Sequence, residues 1–554
     1  MTKKNLQELQ AFLDSLSKDD VLVIDTETNW TDDYEDRYLM GIALCAKGQS
    51  CYLPVGHLPF FGVEPENVTV PDNLFSKTVA KLVFHNAKFD IQILERANVK
   101  LPTGNFYDTM MMAHYIDENE LSYSLDNLCR VYKVAGKAGK IAKAMKDNWD
   151  NMLIDVMAQY AIQDVESTMA LYHKLLPKFE TYREVWEEVD REFTLLLAKM
   201  ERKGILVDVP MCADLEKQCF DRMAQIEQEL GFDPSKPSQL RSRLFDEPPF
   251  GLGLKPLSYT PKKNEPQVNK AFLEATNHPV CGLLLEYSEL KKQMTSYFTP
   301  YQKKGGLAGR IHPSFKLHGT VTGRMSCENP NMQQVPRTSK VKDVFMPEKG
   351  CDLIEIDYSN IEMRLMAVYS QQPSLLEEFT PRKGDVHGRV ASELGVDRFK
   401  AKTVNFLIGY GGGAGVLSKQ LKISEREAKS ILDKYKKTYK ELFTTSYSAA
   451  RSAEQNEGTV RLWSGRERHF KYPSEYHKAF NSVVQGGAFE IVKRSMLKLD
   501  AAGFDIRNQV HDSVWLNESD PLRVKEAERI MEEWVEELFG LPFYVESKVL
   551  RSRK

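Results

Sequence analysis

Three short apolar bursts open the chain: Val21-Leu22-Val23-Ile24, Met40 to Cys45 and Leu82-Val83-Phe84. Runs of that length bounded by polar residues predict buried strands. Helical periodicity takes over at Phe89 to Ala97 and at Met152 to Leu176. Strands first and helices after predict a layered α/β or α+β domain. A long charged amphipathic helix is expected from about Glu180 to Arg202, broken at Gly204. Between Phe232 and Pro266 the composition turns to Pro, Gly, Ser and Lys, which predicts a stretch without regular structure. Helices resume at Val268 to Tyr297, and short strands then mix with helices such as Arg398 to Tyr410 and Ala479 to Ala501. The opening residues predict an amphipathic helix rather than a signal peptide, and no apolar run is long enough to span a bilayer.

At 554 residues and 42% hydrophobic, the chain can bury several cores, roughly three or four domains. Seventy-five Lys+Arg against 78 Asp+Glu leave a net charge of -3, so a nucleic-acid partner must be sought in local clusters. Those are Lys291-Lys292, Lys303-Lys304, Arg337 to Lys342, and the group Arg461, Arg466, Arg468, His469 and Lys471. The 8 cysteines are scattered without a CxxC pair, which favours reduced thiols and a cytoplasmic setting.

Asp25 and Glu27, in Val-Ile-Asp-Thr-Glu-Thr, are alternate residues of a predicted strand and share one face. Asp90 falls in the first turns of a helix after Phe84-His85-Asn86. Tyr160 and Asp164 are i and i+4 neighbours on another helix. Four converging acids need cations, and oxygen-only ligands suit Mg²⁺ or Mn²⁺. This set resembles the three motifs of the tyrosine-bearing DEDD 3′–5′ exonucleases. The resemblance implies an RNase H-like domain in which Asp25, Glu27, Asp90 and Asp164 hold two metals and Tyr160 positions the attacking water.

In the second half, Asp357 ends the strand Leu353 to Ile356, and Asp512 sits at the polar centre of a hairpin, His511-Asp512-Ser513. Either acid could equally be an ordinary cap or turn residue. Between them Arg398, Lys402, Phe406 and Tyr410 recur every fourth residue, a slowly drifting stripe of two cations and two rings on one helix. Such an order suits a nucleoside triphosphate, phosphates at one end and base and sugar at the other.

Together these pieces resemble DNA polymerase family A, over nearly the whole chain. Asp357-Tyr358-Ser359 with Glu362 and Arg364 is similar to motif A, the stripe to motif B and His511-Asp512 to motif C. The resemblance implies a right-hand polymerase of thumb, palm and fingers after the exonuclease domain, with two Mg²⁺ ions per active site, Mn²⁺ substituting. Asp357, Tyr358 and Asp512 would hold the ions of the second centre. Arg398, Lys402 and His387 would meet the phosphates, Phe406 and Tyr410 the nascent pair, and Glu362 would exclude a ribose 2′-hydroxyl. Arg324, Asn331, Gln333, Asn481, Gln485 and His511 match positions that contact primer–template. Ser513 departs from the commoner His-Asp-Glu of motif C, and His477 stands where many relatives carry arginine.

The domains expected are exonuclease over 1–180, thumb and linker over 181–301, palm over 302–375 and 476–554, and fingers over 376–475. No N-terminal 5′-nuclease domain is expected, and the compact pairing is similar to phage replicases. Expected partners are primer–template DNA and dNTPs, with replisome helicase, primase or a single-stranded-DNA-binding protein. A monomer is expected in the cytoplasm, a host's if the source is a phage. Glu362 and the exonuclease motifs speak against an RNA polymerase. Complete acid sets speak against a nuclease with a merely DNA-gripping partner region, or a silent scaffold.

The resemblance also generates a prediction. Relatives with Phe at the position of Phe406 discriminate against dideoxynucleotides, whereas Tyr accepts them, its hydroxyl replacing a contact of the missing 3′-hydroxyl. Phe406→Tyr is expected to raise the ratio of ddNTP to dNTP incorporation efficiency on one primer–template. An unchanged ratio would remove Phe406 from the incoming sugar.

Overall fold

The structure is a computed structural model that describes residues 3–29, 31, 33–59, 64–102, 104–136, 149, 152–306, 308–336, 340–382, 384–409 and 412–552. It divides into two units. One comprises residues 1–203, 314–333 and 354–549, the other 204–313, 334–353 and 550–554.

The first unit begins with α1 (Lys3–Asp14) and a five-stranded sheet of β1 (Val21–Thr28), β2 (Leu39–Ala46), β3 (Gln49–Pro54), β4 (Lys81–Phe84) and β5 (Phe106–Asp108). The order is β3-β2-β1-β4-β5, antiparallel on the β2 side of β1 and parallel on the β4 side. All three predicted apolar runs are strands, and β1 lies at the centre. Its first half, Val21 to Ile24, is apolar on both faces because α2 (Ala87–Arg96) packs against the strand as well as a long helix, α5 (Ile154–Phe179). Between these lie α3 (Thr109–Ile116) and α4 (Leu125–Tyr132).

The helix expected to start near Glu180 does not begin there. Residues 154–203 form a nearly unbroken helical rod: α5, a 3₁₀ turn, one α-helical turn, a π turn over Trp186–Asp190, then α6 (Arg191–Lys203). The π turn sets the buried Asp190 within the rod. Gly204, with φ +60, ends it.

The second unit carries a three-stranded sheet of β6 (Ile205–Val207), β7 (Arg310–Ile311) and β10 (Phe345–Met346), in the order β10-β6-β7. Its helices include α7 (Val209–Leu230) and α10 (Pro279–Gln293). The Pro-rich stretch is more ordered than its composition predicts. It holds α8 (Pro237–Phe245), begun by Pro237, and Leu244 packs with Phe272 and Leu273 of α9 (Lys270–Ala275), Cys281 and Leu284. Proline there fits a helix start and turns rather than an absence of structure.

The first unit continues with the short pair β8 (Ser314–Lys316) and β9 (Ser326–Glu328). A four-stranded sheet follows, formed by β11 (Asp352–Tyr358), β14 (Asp505–Val510), β15 (Ser513–Glu518) and β16 (Val545–Arg551) in the order β14-β15-β11-β16. Helices α11 (Ile361–Ser370), α17 (Ala479–Ala501) and α18 (Pro521–Phe539) accompany it. The helical segment between holds α12 (Val386–Leu394), α13 (Arg398–Gly409), α14 (Ala414–Leu421), α15 (Glu425–Thr438) and α16 (Lys440–Gln455), closed by the hairpin β12 (Thr459–Arg461) and β13 (Glu467–His469). Among the described residues no helix is long and apolar enough to cross a membrane.

Asp108, at the end of β5, ties the start of α2 to the sheet. Its carboxylate accepts from the backbone N–H of Asn86 at 3.0 Å, Ala87 at 2.9 Å and Met110 at 2.9 Å. Asp108→Ala would leave three N–H groups short of a partner. Each costs about 1–3 kcal/mol when buried, so a loss of at least about 3 kcal/mol is expected. Differential scanning fluorimetry should show a lowered Tm, and a smaller drop for Asp108→Asn, which keeps one acceptor oxygen.

Candidate active sites

Asp25 and Glu27 project from central β1, and α5 brings Asp164 to them. One carboxylate oxygen of each lies within 4.8 Å of the others. Asp90, in the first turn of α2, is fully buried beside them, and its Oδ1 accepts from the backbone N–H of Thr26 at 3.0 Å and the Thr26 hydroxyl at 2.7 Å. Burial, and then the charge of Asp25, push the Asp90 carboxyl well above the ordinary carboxylate range. Acids this close are stable together only with cations or protons among them. A set of hard oxygen donors fits Mg²⁺ or Mn²⁺. Tyr160 lies one turn before Asp164, and its buried ring meets Trp149 edge-on at 5.2 Å. The Trp149 indole N–H donates to the Thr28 carbonyl at 3.0 Å, linking that ring to the end of β1.

Sequence reading missed Tyr52. A Cβ on Gly41 of β2 would fall 2.0 Å from the Tyr52 hydroxyl, so only glycine lets this ring cross the sheet. Burial, then the charges of Glu27 and Asp25, raise the Tyr52 phenol, and it bonds His57 Nε2 at 2.9 Å. An isolated Gly in the apolar run Leu-Met-Gly-Ile was the available signal.

At the second centre, β14 and β15 form a two-residue hairpin, with Val510 paired to Ser513 and His511 in the left-handed region at φ 55. The Tyr358 N–H donates to the Asp512 carbonyl at 3.3 Å, so Asp357 and Asp512 come from adjoining strand ends. The Tyr358 hydroxyl is committed to Ser495 Oγ at 2.7 Å and the Met531 carbonyl at 2.6 Å. Its phenol is therefore no metal ligand, which leaves the backbone carbonyl for the role assigned to Tyr358. Glu362, buried in the first turn of α11, is ion-paired with Arg324, whose Nη2 lies 4.0 Å from Asp512 Oδ1. Glu355, two residues before Asp357, accepts from Ser513 Oγ and Trp515 Nε1, both at 3.1 Å, and pairs with Lys548 Nζ at 2.6 Å. An acid on β11 thus engages the serine of motif C, a pairing that spacing alone did not suggest.

On α13, Arg398 is exposed and grips Asp385 through Nη2 at 3.0 Å and Nε at 3.1 Å, which lowers the Asp385 carboxyl. Lys402 is also exposed. His387 of α12 is buried, and its Nδ1 lies 2.9 Å from the Asn405 amide nitrogen. An amide NH₂ only donates, so the ring proton sits on Nε2. Burial, then Arg398 and Lys402, lower its pKa and keep it neutral. Tyr410 and the Phe406 side chain lie outside the described residues.

Of the expected DNA contacts, Gln333 donates to the Gln509 carbonyl at 2.8 Å and to its Oε1 at 2.7 Å, joining the strip before β10 to β14. Asn331 caps that turn through the Gln333 N–H at 3.0 Å. Asn481 and Gln485 lie one turn apart on α17, and the Asn481 side-chain oxygen Oδ1 is buried with no hydrogen-bond partner. The basic group around the β12–β13 hairpin is corrected. Arg466 and Arg468 are 5% and 6% exposed and bound to Asp190 and Glu118, so they are structural ion pairs rather than phosphate contacts. Arg461 and Lys471 remain exposed, and Arg337 lies outside the described residues.

A family model described as DNA polymerase family A matches residues 210–552, and one described as 3′-5′ exonuclease matches residues 2–180. The chain is 29% identical over 563 residues to DNA polymerase I of Synechocystis sp., covering 89% of this chain and 55% of that protein. It is 30% identical over 466 residues to DNA polymerase I of Treponema pallidum, covering 77% and 46%. The chain thus spans about half the length of these curated relatives. Among solved structures, the POL domain of Pol1 from M. smegmatis, in complex with DNA primer-template and dNTP, aligns at TM-score 0.83 and 24% identity over 98% of each chain, which shows a shared fold.

The donor set around Asp25 predicts a divalent-ion site separable from the second centre. Mutating a residue that merely orients a metal ligand typically costs about 10–100-fold in affinity. Asp25→Asn with Glu27→Gln is therefore expected to weaken Mn²⁺ binding there by at least about 10-fold. Isothermal titration of the free protein should show loss of one class of sites, with the class lost in Asp357→Asn retained.

Proposed function

The chain belongs to DNA polymerase family A, and we propose that it extends a primer 3′-hydroxyl with dNTPs on a DNA template and excises 3′-terminal nucleotides at a second site. The observation that carries this reading is the pair of separate acid centres, one on central β1 with Asp164 of α5 and one where β11 adjoins the β14–β15 hairpin, within a chain matched by a polymerase model and an exonuclease model. In this reading residues 1–180 are the exonuclease domain, 181–301 thumb and linker, 302–375 and 476–554 palm, and 376–475 fingers.

Divalent ions, Mg²⁺ or in its place Mn²⁺, held by Asp357, Asp512 and the Tyr358 carbonyl at one centre and by Asp25, Glu27, Asp90 and Asp164 at the other, would activate the attacking oxygen and neutralise phosphate charge. The chain's own residues do the rest. Arg398 exchanges Asp385 for the triphosphate, a stronger anion, and Lys402 adds a second positive charge on the same helix face. Neutral His387, its proton on Nε2, donates to a phosphate oxygen without adding charge. Glu362 occupies the space a ribose 2′-hydroxyl would need, and Arg324 holds it there. Asn481 and Gln485, with the Asn331–Gln333 strip, meet the sugar and base edges of the duplex. Base pairing reads the template, so the protein needs shape and backbone contacts rather than base-specific ones. At the other centre Tyr160, held against Trp149, orients the water.

The protein acts in the cytoplasm as a monomer in this reading. Its exonuclease-plus-polymerase plan suits a phage replicase, with a helicase, primase or single-stranded-DNA-binding protein beside it. A primer-extension assay tests the central reading. With dNTPs the labelled primer should lengthen, and without them it should shorten. Asp25→Ala with Glu27→Ala should abolish shortening by orders of magnitude and leave extension, whereas Asp357→Ala or Asp512→Ala should do the reverse. A folded Asp25/Glu27 variant that also stops extending would overturn the two-site reading.

A further inference from the structure

A line of contacts, buried at its core, runs from α3, within the exonuclease-matched residues, to the strip that carries Arg324. His114 of α3 is 1% exposed. Arg466 Nη2 lies 2.8 Å from its Nδ1. A guanidinium only donates, so Nδ1 offers a lone pair and the ring proton sits on Nε2. That nitrogen lies 3.2 Å from the Thr320 carbonyl and donates to it. Burial, then the charge of Arg466, hold the imidazole well below its usual pKa, in keeping with a neutral ring wedged between a cation and a carbonyl.

Arg466 is itself fixed on every side. Its Nη1 meets Asp190 Oδ2 at 3.2 Å, and its guanidinium lies over the Tyr115 ring at 4.6 Å. Its Nε passes so near Gly323 that a Cβ there would approach to 2.9 Å. Fully buried Asp190 also accepts from Tyr115 Oη and Lys493 Nζ, each at 2.5 Å, and Lys493 pairs with Glu490 at 2.5 Å. Two anions and two cations balance inside the protein, which fits the rule that buried charges are paired. On the far side, the Thr320 hydroxyl donates to the Arg324 carbonyl at 2.7 Å. The Arg324 side chain then reaches Glu362 and stands 4.0 Å from Asp512.

We propose that His114 and Arg466 are positioning residues for DNA synthesis: they fix the Thr320–Arg324 strip, and with it the Arg324 guanidinium between Glu362 and Asp512, so that a helix of the exonuclease portion helps to seat the primer in the polymerase site. The proposal rests on the polymerase reading above. It makes the exonuclease portion part of the polymerase's primer grip, beyond its own hydrolytic chemistry.

Two substitutions separate this from simple support of the fold. His114→Asn places an acceptor near Nδ1 and keeps Arg466 partnered, but is too short to reach Thr320. His114→Gln extends an amide donor to the Nε2 position and keeps the Thr320 link. The primary measurement is fluorescence anisotropy of a labelled primer–template with a recessed 3′ end, in EDTA, which needs no catalysis. His114→Asn is expected to raise Kd by about 2- to 10-fold, the range one hydrogen bond supplies, and His114→Gln to stay near wild type. The extension assay should show the same order in KM for primer–template. His114→Asn should also raise ribonucleotide incorporation relative to dNTP, because Glu362 loses its fixed partner. Hydrolysis of a single-stranded oligonucleotide should be unchanged in both. Equal Kd for both variants and wild type would overturn the proposal, as would parallel loss of Tm, excision and binding. A wild type that binds the duplex but never extends it would instead overturn the polymerase reading.

Discussion

Carboxylates held within metal-ligating distance of one another are the constraint on which the rest of this structure depends. Two unit charges 4 Å apart repel by about 1 kcal/mol in water and by about 4 kcal/mol in the environment near a protein surface. The chain gathers acids in this way at Asp25, Glu27 and Asp164, with Asp90 buried behind them. Left to a loop, such a cluster would spread. Here the acids stand on central β1, on α5 and on an α2 whose first turn is tied to the sheet by Asp108. At the second centre the backbone bond between Tyr358 and Asp512 and the clasp of Glu355 on Ser513 and Trp515 hold β11 to the hairpin. Strand ends offer rigid backbone beside open space, which a site for a highly charged ligand needs.

The same electrostatics with alternating sign builds the interior. Asp190, Glu490, Arg466 and Lys493 are removed from water together, because any one of them alone would carry an uncompensated desolvation cost. Glu118 does likewise for Arg468 and His469. Part of the positive charge near the β12–β13 hairpin is thus spent on holding the exonuclease-matched residues in place. The cations Arg398, Lys402, Arg461 and Lys471 stay exposed at the surface.

Much of this was legible along the chain. The apolar runs at Val21, Met40 and Leu82 are strands, and the stripe from Arg398 is a helix, because side-chain periods of two and 3.6 residues follow from backbone geometry alone. Asp25 with Glu27, and Tyr160 with Asp164, could be placed on common faces for the same reason. Where local rules competed, they misled. Proline pointed to a stretch without regular structure where α8 forms, and Glu180 to the start of a helix that was already under way.

What the sequence determined by itself was therefore the short-range order: which segments become strands or helices, and which acids share a face. Tertiary structure alone decided who meets whom at long range. Arg466 reads as one more surface cation until folding places it against Asp190, 276 residues away, and Glu355 as a strand-face acid until Ser513, 158 residues on, donates to it. The physical reason is that a spacing of two or four residues is set by the backbone. The partner of a buried charge is set by which distant segments the packing of apolar faces brings together, and only there does water withdraw enough for the pairing to matter.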